Sequence, residues 1–153
     1  MILHCNFEEL RALTAASEAI VADGHPDASV AAQPKSVVMV EELLPRLTGD
    51  VSIETLPDQR RVQTAVRFIV GDLHRRLDER IIDTHPADEE AVALFFDYGY
   101  SRTVLHRLDQ MGAEMEAIVD RSAATPQPPS SPTEPRHEHQ TRGPAPDHPV
   151  RGF

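Results

Sequence analysis

Two long apolar stripes on either side of a proline-containing junction constrain this chain more than any other feature. In residues 57–83, Val62, Val66, Ile69, Leu73 and Leu77 step by four, three, four and four. That spacing places them on one face of an α-helix running from about Pro57 to Asp83. After the junction DTHPADEE, Val104, Leu108, Met111, Met115 and Ile118 step four, three, four, three. This is the seam of a heptad repeat on a helix from about Pro86 to Arg121. Pro86 suits a first helical turn, and Asp88, Glu89 and Glu90 suit its positive end. A short turn between two such helices makes them antiparallel neighbours.

At about 1.5 Å per residue the two helices would span roughly 40 and 50 Å. The last turns of the longer one, carrying Met115, Ile118 and Val119, then overhang. An earlier helix or a second subunit would cover them, and self-association as a homodimer is the expected outcome.

The first half reads as two further helices. CNFEELRAL opens with Asn6 as N-cap, Glu9 three residues later, and Cys5 with Leu10 as a hydrophobic staple. This helix runs to about Asp23, with Gly24 as its stop. A shorter helix begins near Pro34, aligns Val37, Val40, Leu44 and Leu47, and is interrupted by Pro45. TGD is a turn, and Thr55 with Asp58 marks the next helix start. MILH is read as a packed N-terminal arm in preference to a strand. The fold class expected is all-α: an antiparallel bundle of about four helices with a long C-terminal helix, followed by a disordered Pro-rich tail.

The domain boundary falls near residue 121. Residues 1–121 form the bundle; residues 122–153 hold eight of the thirteen prolines and few large apolar side chains. Such a tail buries too little surface to offset its ordering entropy. Pro126, Pro129, Pro132 and Pro135 recur every third residue, one edge of a polyproline II helix. They are read as a spacer rather than a ligand for an aromatic groove. His137 and His139 lack neighbours that would complete a metal site.

The tail's charges cancel, so the net charge of −10 belongs to the body. That balance argues against nucleic acid or an anionic membrane as partner. With neither a leader-like start nor an apolar run of membrane length, the expected location is cytoplasmic. The single cysteine excludes an intrachain disulfide, and Cys5 is read as packing rather than as a nucleophile.

FFDYGY, residues 95–100, holds four of the seven aromatic residues. Stepping about 100° per residue, Asp97 and Ser101 fall in line with the seam, and Tyr98 and Tyr100 flank it. Phe95, Phe96 and Gly99 turn away, Gly99 leaving a notch. Across the hairpin, residues whose numbers sum to about 170 lie level. Arg76 is therefore near Asp97, and Arg76, Asp97 and Ser101 are expected to form a structural polar layer. No Glu-x-x-His pair, H-E-x-x-H, phosphate loop or nucleophile elbow occurs. The His74/Asp78 spacing suits a metal, but both point away from the stripe and are read as a solvated pair. No metal or cofactor is expected.

These readings lean away from an enzyme. They favour a small acidic protein-interaction module: an adaptor, scaffold or regulatory subunit self-associating through its last helix. Its candidate partner-binding residues are Phe95, Phe96, Tyr98, Tyr100, Met115, Ile118 and Val119, and the protein partner is unidentified. One alternative is an enzyme or small-ligand binder with a cavity around Asp97, Tyr98 and Tyr100. Another is a structural subunit of a larger assembly.

Overall fold

The computed structural model describes residues 1–23, 35–83 and 88–124, with Gly143 alone beyond them. In chain order these form β1 (Ile2–Leu3), α1 (Phe7–Asp23), α2 (Lys35–Leu43), a 3-10 turn (Leu44–Arg46), β2 (Val51–Ser52), α3 (Leu56–Asp83) and α4 (Glu89–Ala124). The described part is thus mostly helical. Gly24, Pro34, the junction 84–87 and the proposed disordered tail from residue 125 lie outside the described residues. Ser122–Ala124, placed in the tail by composition, continue α4.

Local chemistry sets the helix starts. The Asn6 side chain accepts from the Glu9 backbone N–H at 2.9 Å, and Glu9 Oε2 accepts from the Asn6 N–H at 2.9 Å. This is a closed capping box. Cys5 and Leu10 both pack against the core, as the staple requires. At α3, Thr55 Oγ1 accepts from the Asp58 N–H at 3.2 Å. The Asp58 carboxylate is gripped by Arg46 with two guanidinium nitrogens at 2.8 and 3.0 Å. α2 gives way to the 3-10 turn at Leu44, one residue before Pro45, whose missing N–H cannot extend the α-helical ladder.

The N-terminal segment departs from the sequence expectation. Ile2–Leu3 is not only a packed arm but a strand, antiparallel to Val51–Ser52, with Leu3 opposite Val51. The Ile53 N–H extends the ladder to the Met1 carbonyl at 2.8 Å. Leu3, Val51 and Ile53 are all buried, so the pairing closes one end of the core. A two-residue strand is too short for alternation to reveal it.

α3 and α4 form the most extensive pairing, the hairpin the two stripes imply; α2 covers α3, and α1 covers α4. The core joins Leu13, Ala16 and Ile20 of α1 and Val37, Val40 and Leu43 of α2 with the α3 stripe and Val104 and Leu108 of α4. Among the described residues, no helix is long and apolar enough to cross a membrane.

Candidate functional site

α4 is buried only in its middle. Ser101, Val104, Leu108 and Gly112 are its fully buried residues, although the helix runs for 36. At about 1.5 Å per residue that is roughly 54 Å, against roughly 42 Å for α3. Both ends of α4, and its outer face, are where unused surface collects.

The middle is pinned from two sides. From α3, the Gln59 amide donates to the Leu108 carbonyl at 2.8 Å in a fully buried setting. A Cβ on Gly112 would lie 2.7 Å from Gln59 Nε2, so only glycine leaves room for that amide. From α1, Glu9 Oε2 lies 2.5 Å from Arg107 Nη2. Arg107 also donates to the carbonyl of His4. Glu9 is 4 % exposed, so the pair closes over the N-terminal arm as well as capping α1. Burial pushes the neighbouring Cys5 thiol up from its ordinary value, with Arg107 only partly opposing it. That is the opposite of what a thiolate nucleophile needs.

The expected polar layer does not assemble. Asp97 pairs with Arg11 of α1 at 2.7 Å, and Arg11 also holds Glu8 at 3.0 Å. Arg76 turns instead to Asp72 at 2.7 Å and Asp23 at 3.0 Å. The Ser101 hydroxyl is buried without a hydrogen-bond partner, as is that of Ser17. The hairpin arithmetic gave the heights of Arg76 and Asp97 but could not see α1, whose Arg11 takes the carboxylate.

The aromatic turn divides as its helical phase requires. Tyr98 is half-buried against the core. Its ring meets His74 with centroids 5.5 Å apart, and Arg102 lies over it at 5.7 Å. Tyr100 is also half-buried. Phe95 and Phe96 are 60 % and 53 % exposed and touch each other edge to face at 6.1 Å. Val92, one turn earlier, is 47 % exposed. Nothing lies within 4 Å of a Cβ built on Gly99, so the notch beside the two rings is open.

At the other end, Met115 packs partly against the core, while Ile118 and Val119 are half exposed. The overhang is therefore real, and no described element covers it. His74 and Asp78 form an exposed pair at 3.3 Å. Among the described residues, no three His, Cys, Asp or Glu side chains come together as a metal site.

Sequence reasoning missed Arg11, Arg107 and Gln59. The first two carry no periodic signal, and a glutamine at the start of a helix reads as surface. Gly112, in line beside the seam at a position where a large apolar residue is expected, was the one available clue to Gln59. Compared with family models, curated proteins and solved structures, the chain matches none, so its function is read from the geometry of α4 itself.

Proposed function

We propose that this chain is a small acidic protein-interaction module, an adaptor, scaffold or regulatory subunit, whose docking element is α4. One observation carries the reading: Val92, Phe95 and Phe96 hold large apolar surface in solvent on a single stretch of a helix that is fully buried only further along, from Ser101 to Gly112. Apolar area in water is unfavourable by about 25 cal/mol per Å². A contiguous patch of exposed aromatic and aliphatic side chains is the usual mark of a binding surface; the other large exposed apolar residues, Met1, Ile2, Phe7 and Ile81, lie outside α4. Ile118 and Val119 form a second, separate exposed apolar patch at the far end of the helix. The net charge of −10 favours a protein over a phosphate backbone as partner. The single cysteine is compatible with the reducing cytoplasm.

The alternative of a cavity around Asp97, Tyr98 and Tyr100 gains no support from the contacts, since Asp97 is engaged by Arg11 and Tyr98 is enclosed by His74 and Arg102. The test is affinity capture from native lysate with full-length chain as bait. The expected result is a protein retained in stoichiometric amount by wild type and lost with Phe95→Ala or Phe96→Ala. Capture indifferent to both substitutions would remove α4 from the role.

A further inference from the structure

The outer face of α4 carries a second heptad stripe. From Val92 to Ala117 its positions step four and three in strict alternation, without a charged residue, and all of them are exposed. We infer that the occupant of this face is a second copy of the chain, packed antiparallel along α4. The inference rests on reading α4 as the docking helix and names its partner.

Two arguments select a second copy and fix its direction. The first is size. In an antiparallel pair, each a position meets a d position of the other helix. With the twofold axis between Leu105 and Val104, the layers are Val92 on Ala117, Phe96 on Ala113, Gln110 on Gly99 and His106 on Thr103. Each layer sets a larger side chain on a smaller one. The open notch at Gly99, with nothing within 4 Å of its Cβ position, receives Gln110 of the second copy. The exposed Phe96 ring finds the space left by Ala113. A parallel pair would stack Phe96 on Phe96 and glycine on glycine, overfilled at one level and void at the next.

The second argument is charge. Along one flank of the antiparallel pair, Arg102 faces Asp109 of the second copy, twice by symmetry, joining the Gln63 and Arg67 side chains that already hold that exposed carboxylate. A parallel pair would bring Asp109 beside Glu114, a like-charge contact on each side. The flanking charges thus favour the antiparallel direction, as the layer sizes do. The stripe also lies opposite the face that α1 and α3 cover, so a second copy meets it without disturbing the core. A symmetric antiparallel interface of this kind closes as a dimer.

Sedimentation equilibrium on the full-length chain provides the first test. The wild type is expected to be a dimer, and Phe96→Glu to raise its dissociation constant about tenfold or more, with helical circular dichroism unchanged. The second test fixes direction. In a Cys5→Ala background, Val92→Cys combined with Ala117→Cys should give a disulfide-linked dimer on oxidation. Neither cysteine alone should do so, because the two positions are about 37 Å apart on one helix. A monomer at millimolar concentration, a dimer insensitive to Phe96→Glu, or a disulfide dimer from either single cysteine overturns the inference. A monomer that still captures another protein through Phe96 loses the second copy but keeps the docking helix; a monomer that captures nothing loses both.

Discussion

Gly71, Gly99 and Gly112 all sit inside long helices, where glycine costs about 1 kcal/mol relative to alanine. Their surroundings separate them. A Cβ at Gly71 or Gly99 meets nothing within 4 Å, whereas at Gly112 it meets the Gln59 amide at 2.7 Å. Gly71→Ala should therefore stabilise the fold by about 0.5–1 kcal/mol. Gly112→Ala should destabilise it by about 1–2 kcal/mol net, because the displaced amide loses its bond to Leu108 in a buried setting. Urea denaturation of the two variants checks both signs. Ser101 gives a similar contrast. A working polar layer would make Ser101→Ala costly. With the hydroxyl buried and unpartnered, the substitution should be neutral or stabilising by up to about 1 kcal/mol, read from the same denaturation curves.

The elements whose signals are local were legible in the sequence. The capping box of Asn6 and Glu9 could be read because four adjacent residues decide it, and the structure closes it as expected. Asn6→Ala should cost about 1 kcal/mol, seen as a lowered urea midpoint with unchanged slope. The hairpin of α3 and α4 was legible because each stripe repeats over several turns. The strand β1 was not, since two residues carry no period, and its partner lies 50 positions away. The partner of Asp97 was illegible for a different reason. Knowing its height on the hairpin leaves open which helix stands beside it, and the rotation of α1 that delivers Arg11 is a tertiary fact. The outer stripe of α4 was legible in part: Phe95, Phe96 and Gly99 were seen to turn away from the seam. The repeat from Val92 to Ala117 that contains Phe96 and Gly99 was not legible, because Thr103, His106 and Gln110 are not apolar.

For the molecule as a whole, acid stability should depend on how the two halves are joined. Arg46 binds Asp58 at the start of α3 and also donates to the Ser52 carbonyl at 2.6 Å, tying the 3-10 turn, β2 and α3 together. Its hydrogen bonds hold the Asp58 carboxyl below its ordinary range. A carboxylate lowered on folding contributes stability that is complete above its unfolded pKa of about 3.9 and is lost as pH falls through the folded value. Wild-type stability should therefore fall on acidification below about pH 4. Asp58→Asn should be less stable at neutral pH and flatter across that acidic window. Urea midpoints collected from neutral pH down to pH 3 or so compare the two profiles.

The closure of the N-terminal arm by Arg107 also has a consequence for synthesis. His4 and Glu9 find their partner about a hundred residues later in the chain. At about 5–20 residues per second, the ribosome needs about 5–20 s to supply it. Throughout that interval the first helix lacks Arg107 as a partner for Glu9 and lacks α4 over one side of its apolar face. The chain's earliest structure is thus locally specified but globally unfinished, and its beginning becomes fixed only when the middle of the last helix has emerged.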